Sequence, residues 1–549
     1  MDIQRVVLIG FSGTGKSTIA RKLAENLNWT AIDTDRAIEI VAGKTIPEIF
    51  ADDGESAFRD IERQILLRSL EQSSSVVATG GGAVVPSDIW TAEYLNRPGT
   101  LTVALDSSPA TILQRLLNHR AISRETVDRP LLAGNDPLGR ITDLKQSRQP
   151  AYDRAALTLV TDTMTVADVV DQIRPLLSVT SGPNVTLKAA GGESLIFVRP
   201  GISSHVGSII AEQWPKAQNA FLVTDSNVGP LHASQIQTSL ESSGLEVRVI
   251  TVPSGEGSKS WASAENVIGS MLDQGIQRND VVVALGGGVI GDLAGFAAAV
   301  VLRGVGLVQI PTSLLAMVDS SVGGKTGVNH PAGKNLIGAF YQPGLVCVDP
   351  QLLGTLPTRE MTQGWAEVVK HAVIQPSTPD RYQSDLMTFL DRNRSNLIER
   401  LEPALSYAIL RNIALKASVV EADEREASLR AILNYGHTIG HAIEAAEYRY
   451  LHGEAISVGI HAANRIAVLT GTIEPARERE IAALAVNFGL PAKATFDPAV
   501  VNIRMRSDKK STAGRQTWVL PTSPVGVELF AGIDQSTVDA ALEFVRIAE

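Results

Sequence analysis

"VVLIGFSGTGKSTIARKLAENL", Val6 to Leu27, decides the first fold of this chain. An apolar, β-branched run ends at Gly10, a glycine-rich turn follows, and a helical pattern opens at Lys16. That order makes "GFSGTGKS" a phosphate loop, in which backbone N–H groups and the helix N-terminus cradle phosphates. Lys16 then reaches the outer phosphates and Ser17 ligates Mg²⁺. Gly13, Thr14, Gly15 and Thr18 complete the ATP-binding set. A chance glycine-rich turn would not need a strand before it and a helix after it.

Outward from this stretch, "SVVATG" near Val76 and "LTVAL" at Leu101 are further short strands with helical patterns between them. Such alternation predicts a parallel sheet with crossover helices, an α/β fold. The rhythm closes near "VADVVDQIRPLL", giving a first domain over 1–176. The polar "SVTSGPNVT" with Gly182 and Pro183 reads as a linker over 177–186. A second α/β region over 187–349 carries "FLVTD", "VRVITV", "VVVALGGG" and "LVQIPTS". Beyond it, 350–549 reads as mainly helical.

Composition bounds the function. The chain has 549 residues, 44% apolar and 20% charged, an ordinary soluble balance. A formal net charge of −10 excludes a general polyanion binder, so neither nucleic acid nor membrane is an expected partner. Small anionic substrates need only a local basic pocket. The single cysteine, Cys347, excludes an intrachain disulfide and fits a reducing compartment. The apolar run at the N-terminus is too short for a signal peptide or a membrane span. The expectation is a cytoplasmic enzyme.

In the first domain, "AIDTDRAIE" offers Asp33 and Asp35, read as two carboxylates on one side of an extended segment. One suits Mg²⁺ and the other suits substrate hydroxyls. "ESAFRDIE" adds Arg59, "GGGAVV" permits close backbone approach to a ligand, and "SRQPAY" adds Arg148. "NHRAISRETVDRPLL" is arginine-rich and aperiodic, and reads as a lid. Singly, each arginine could be solvated surface charge. Together these motifs resemble shikimate kinase over essentially the whole of 1–176. The resemblance implies that Asp35, Arg59, Gly81 and Arg148 hold shikimate, the arginines pairing with its carboxylate. It also implies that Arg129 stabilises the transferring phosphoryl group and that Asp33 supports Mg²⁺.

In the second part, "LGGGVIGDLAGF" places Gly286, Gly288 and Gly291 in a G-x-G-x-x-G spacing after a strand. Alone this is weak, because no acidic residue lies at the usual distance to grip a ribose. "TDSNV" and "GEGSKS" add polar clusters after strands or strand-like runs, where α/β sheets bind ligands. "LLAMVDSSVGGKTGVNHPAGKNLIGAF" offers Asp319, Lys325, Lys334 and Asn335 among glycines, with Arg303 upstream, which suits a phosphate. "GWAEVVKHAVI" puts Glu367 and Lys370 three apart on a helix. "ILNYGHTIGHAIEA" sets His437 and His441 on one helix face, and His452 follows. A carboxylate with imidazoles suits Zn²⁺.

From about residue 187 onward these motifs resemble 3-dehydroquinate synthase. The resemblance implies Zn²⁺ or Co²⁺ on Glu367, His437 and His452, with His441 at the substrate as a proton-transfer group. Glu426 matches a further catalytic position, and Asp319, Lys370 and Lys416 join it. Arg303, Asp319, Lys325, Asn335, Lys370, Arg430, Asn434, His441 and one of Lys509 or Lys510 would surround the sugar phosphate. Asp225, Asn227, Glu256, Lys259, Gly287, Gly288, Asp292, Thr312, Ser313 and Lys334 would form the NAD⁺ site. Ser313 stands where the family often has threonine, and the hydroxyl is kept. The implied reaction converts 3-deoxy-arabino-heptulosonate 7-phosphate to 3-dehydroquinate and phosphate, in an enzyme that is usually dimeric. A metal- and NAD-dependent polyol dehydrogenase is the alternative for this part, though it has little use for the phosphate cluster. A catalytically dead scaffold module is another, at odds with the complete lysine and metal sets.

Overall fold

The computed structural model describes residues 3–123, 135–177, 182–380, 385–447, 449–508 and 517–548. Five short strands build the first sheet: β1 (Arg5–Ile9), β2 (Thr30–Asp33), β3 (Ser75–Ala78), β4 (Thr100–Asp106) and β5 (Leu157–Val160). They run parallel in the order β2-β3-β1-β4-β5. Every residue of the central β1 is buried, as a strand covered on both faces requires. At its end the chain must turn against β4, where a Cβ on Gly10 would lie 2.3 Å from the Leu105 carbonyl oxygen. Only glycine fits there, at φ +132°.

The second sheet has the order β6-β7-β14-β11-β10-β8-β9. Its strands are β6 (Val185–Ala189), β7 (Gly192–Val198), β8 (Asn219–Asp225), β9 (Glu246–Val252), β10 (Val281–Gly286), β11 (Gly306–Pro311) and β14 (Leu345–Val348). The β6–β7 pair is antiparallel and the rest is parallel. From β8 the chain moves outward to β9, then returns to β10 and proceeds the other way to β11. The carboxyl ends of β8, β10 and β11 therefore border a topological switch point, where open α/β sheets bind ligands. Between β11 and β14 a hairpin, β12 (Lys325–His330) with β13 (Gly333–Phe340), carries the stretch expected from sequence to be glycine-rich loop.

The chain divides into two compact units, Met1–Ser181 with Tyr382–Ala404, and Gly182–Arg381 with Leu405–Glu549. Two sequence expectations change. The expected linker ends early, because Asn184 N–H already donates to Ile196 and β6 begins at Val185. The part expected to be mainly helical gives Tyr382–Ala404 to the first unit, and beside its helices it carries a hairpin, β15 (Thr517–Pro521) with β16 (Val527–Ala531).

Candidate active sites

In the first unit, the phosphate loop and the start of the helix Lys16–Leu27 form the floor of the site. Gly13 and Gly15 take φ +88° and +95°, backbone that favours glycine, and Thr14 N–H between them donates to the Phe11 carbonyl. The Lys16 ammonium is buried and donates to the carbonyls of Gly10 and Phe11, each at 2.9 Å. Burial pushes its pKa down to about 8, against the opposing charges of Asp35 and Asp33. Thr14 is buried and donates to the Phe11 carbonyl at 2.9 Å, whereas Ser17 and Thr18 are exposed at the helix start.

Asp33 and Asp35 do not share an extended segment. β2 stops at Asp33, which caps the helix Thr34–Ala42 by accepting from Arg36 N–H, and Asp35 lies in that helix's first turn. An Asx-type cap competes with strand extension there. Burial pushes Asp35 up to about 6, with Lys16 opposing. The glycine triple packs directly on the acceptor groups. A Cβ on Gly80 would lie 2.7 Å from Asp35 Oδ1, and one on Gly82 would lie 3.0 Å from Arg59 Nη1. One on Gly81 would meet Arg148 Nη1 at 3.6 Å. Asp35, Arg59, Gly81 and Arg148 thus share one pocket wall. The sequence reading missed Glu62, whose Oε2 accepts from Arg59 Nη1 at 2.6 Å, and Tyr152, whose hydroxyl donates to Gly81 O at 2.6 Å. Glu62 was legible as the i+3 partner of Arg59 on a helix. Arg129 lies outside the described residues.

In the second unit the candidate metal ligands come from three helices, Thr358–Ile374, His437–Ala446 and His452–Leu469. Glu367 is fully buried. Its Oε2 pairs with the Lys370 ammonium, and its Oε1 accepts no hydrogen bond. That oxygen faces His437 Nε2 at 3.6 Å and His452 Nε2 at 3.4 Å. The far nitrogens are anchored, His437 Nδ1 on the Tyr435 carbonyl at 3.1 Å and His452 Nδ1 on Glu444 Oε2 at 3.1 Å. Anchored Nδ1 atoms aim both Nε2 atoms inward, as metal-ligating histidines require. Burial disfavours charge on His452, but Glu367 and Glu444 lift it to about 9, so the spot attracts a proton or a cation. An orphaned carboxylate oxygen beside two directed imidazoles fits Zn²⁺. His441 stands edge-on to His437 with ring centroids 5.0 Å apart, and it faces solvent.

Around this cluster, charges alternate. Lys416 Nζ lies 2.7 Å from Asp319 Oδ1 and donates to the Asp319 carbonyl. Burial lowers Lys416 to about 8, while Lys416 and Lys370 overcome the burial of Asp319 and hold its carboxyl well below the usual range. Lys325 pairs with Glu426, which also accepts from Asn434 Nδ2 at 2.8 Å. Arg430 donates to the Gly323 and Glu424 carbonyls. Arg303 is exposed at φ +71°, and among the described residues no hydrogen bond or ion pair ties it to Lys325 or Glu426. Lys509 and Lys510 lie outside the described residues.

At the switch point, Asp225 Oδ1 accepts the N–H groups of Asn227 and Val228, holding the turn after β8. Gly287 and Gly288 begin the helix Gly288–Val300, and a Cβ on them would meet Ser313 Oγ at 3.5 Å and Ser320 Oγ at 3.1 Å. Thr312 N–H donates to Gly286 O. The buried Lys259 pairs with the half-buried Asp292. Asn329, missed by the sequence reading, receives Asn335 N–H and donates to Glu256, pinning the β12–β13 hairpin beside these loops. Lys334 Nζ lies 2.6 Å from Glu444 Oε1, so Glu444, also missed, links the hairpin to the candidate ligand His452. Its spacing, three after His441 on one helix, was the available signal.

These two units define a P-loop small-molecule kinase followed by an α/β enzyme with a histidine–carboxylate metal centre. Comparison with known proteins gives the family. Residues 12–178 match the shikimate kinase model, and residues 249–363 and 364–511 match the N- and C-terminal models of 3-dehydroquinate synthase. A 3-dehydroquinate synthase of Symbiobacterium thermophilum is 42% identical over 355 residues, covering 64% of this chain and 97% of that protein. One from Gloeobacter violaceus is 44% identical over 331 residues, 59% of this chain and 89% of that protein. A solved 2-epi-5-epi-valiolone synthase from Streptomyces hygroscopicus subsp. jinggangensis, with NAD⁺ and Zn²⁺ bound, shares 25% identity at a TM-score of 0.59. The alignment covers 66% of this chain and 98% of that one. The chain belongs to the 3-dehydroquinate synthase family and carries a shikimate kinase domain before it in the sequence. It is a bifunctional enzyme with kinase and lyase activities.

Proposed function

We propose the following division of work among the residues of the two sites. In the kinase, Lys16 supplies positive charge to the outer phosphates of ATP, and Ser17 with Asp33 would hold Mg²⁺. Asp35 accepts hydrogen bonds from the shikimate ring hydroxyls, while Arg59 and Arg148 clamp its carboxylate against Gly81. Glu62 holds Arg59 in place. Arg129 is assigned to the transferring phosphoryl group.

In the synthase, Glu367, His437 and His452 would hold Zn²⁺ or Co²⁺, and the loops from Asp225 to Thr312 would hold NAD⁺. When bound, the metal polarises a substrate hydroxyl and NAD⁺ takes and returns a hydride. Lys370 and Lys416 neutralise the sugar carboxylate and oxygens, with Glu367 holding the Lys370 ammonium and Asp319 that of Lys416. Arg430 and Asn434 orient the ring, and Lys325, Asn335, Arg303 and His441 receive the phosphate. His441 moves a proton at the phosphate-bearing end, and Glu426 steadies Lys325 and Asn434. The observation that carries this reading is Glu367 Oε1, buried without a hydrogen bond and facing two directed imidazole nitrogens. The chain acts in the cytoplasm, and the synthase part pairs with a second copy. No helix among the described residues is long and apolar enough to cross a membrane.

The test supplies heptulosonate phosphate with NAD⁺ and follows phosphate release, with and without a chelator. Release that stops on chelation and returns with zinc supports the metal assignment. Unchanged release in the chelator overturns it.

A further inference from the structure

We infer that Tyr382–Ala404 is a working part of the kinase, and that its Arg392 positions the helix that carries Arg148. The inference rests on the assignment of Arg148 to the shikimate carboxylate.

This segment follows the Glu367 helix in the sequence, yet it belongs to the first unit. Four of its apolar side chains, Leu386, Phe389, Leu390 and Leu397, are buried, while Ile398 and Leu401 are exposed. β5 is the edge strand of the kinase sheet, and an open edge leaves backbone groups that need partners. Asn393, 2% exposed, supplies them as a neighbouring strand would. Its Oδ1 accepts Thr158 N–H at 2.8 Å and its Nδ2 donates to Thr158 O at 3.0 Å. Asn396 Nδ2 donates to Ala155 O at 3.1 Å. The segment thus completes the sheet.

From there a chain of charges leads to the acceptor site. Arg392 Nη2 lies 2.9 Å from Asp106 Oδ2 at the end of β4, and Asp106 Oδ1 lies 2.8 Å from Lys145 Nζ. Asp106 and Lys145 are nearly buried. Lys145 is on the helix Pro137–Tyr152, one turn before Arg148, and that helix ends with Tyr152 bonded to Gly81 O. A buried carboxylate held by two cations fixes the height and rotation of the helix, and with them the reach of Arg148. Removal of Arg392 leaves Asp106 half-compensated and lets Lys145 follow it.

The test uses the full chain and measures kinase kcat and KM for shikimate and for ATP. Arg392→Ala is expected to raise KM for shikimate about threefold to tenfold, spare KM for ATP, and leave synthase turnover unchanged. Arg392→Lys keeps the charge and is expected to recover most of the loss. Unchanged KM, or a loss that Arg392→Lys does not recover, overturns the inference. Arg148→Ala runs beside it: if that variant binds shikimate normally, the underlying site assignment fails instead. In a second arm, Asn393→Ala is expected to lower the unfolding temperature of the kinase transition. No change there would remove the edge-completing role.

Discussion

The Lys16 ammonium is held among loop carbonyls, and burial pushes its pKa down to about 8. Lys16→Ala is expected to lower shikimate phosphorylation by at least ~10²-fold, the scale of losing one preorganised charge in a site. Normal turnover of that variant would remove the phosphate-loop assignment. Glu444 holds His452 Nδ1 on one oxygen and Lys334 on the other. Glu444→Gln should therefore weaken zinc binding ~10–100-fold, a usual cost for losing a partner behind a metal-ligating histidine. Competition with a chelating dye measures this without an activity assay. For the paired histidines, His437→Ala should empty the site of zinc while His441→Ala keeps it and loses turnover by ~10²–10⁴-fold. Equal zinc loss in both would make the pair joint ligands.

Between elements, glycines set how close the helices carrying Glu367, His437 and His452 come. A Cβ on Gly453 would lie 2.0 Å from the Gln363 carbonyl oxygen, and one on Gly459 would lie 2.0 Å from that of Gly436. These contacts are with backbone, which cannot swing aside. Gly453→Ala must push the helix His452–Leu469 away from the helix that carries Glu367, separating the ligands. Such overpacking typically costs ~1–3 kcal/mol, and zinc titration with thermal unfolding would show both effects. The same helix buries His461, 4% exposed with Nε2 unpartnered, and burial pushes its pKa down to about 4. The unfolded chain binds the proton at 6.5, the folded chain only near 4, so this contribution to stability is present above 6.5 and lost as pH falls. Between those values the loss approaches about 1.4 kcal/mol per pH unit. His461→Gln should flatten that acid limb in unfolding curves. An unchanged slope would mean that the ring takes up its proton at the same pH in the folded and the unfolded chain.

Across the whole molecule, two catalytic sites share one chain but no reactants, because the synthase product is not the kinase substrate. Lys16→Ala and His452→Ala, each in the full chain, should silence one activity and spare the other. Separate assays on each variant check this, and loss of both activities in either would mean that the sites are coupled. Division of the chain at the expected linker has another outcome. A fragment ending at 176 lacks Tyr382–Ala404, so Thr158 would lose its Asn393 partner and Asp106 its Arg392. That fragment should bind shikimate less tightly than the full chain.

Local signals were enough for the phosphate loop, the strand–helix alternation, the i, i+3 pair Glu367–Lys370 and the i, i+4 pair His437–His441. Each depends on residues within one or two turns, where covalent geometry fixes who can meet. The family resemblance carried the remaining site residues, which no spacing in the chain connects. Only the tertiary structure decided three matters. It turned Asp35 from a strand position into a helix start, because Asp33 caps the helix there. It joined Glu444 to both Lys334 and His452, residues that lie 110 apart and eight apart in sequence. And it gave Tyr382–Ala404 to the kinase sheet, through an asparagine whose amide pairs with an edge strand 235 residues away. Edge strands and buried charges take whichever partner packing delivers, and sequence distance carries no record of that.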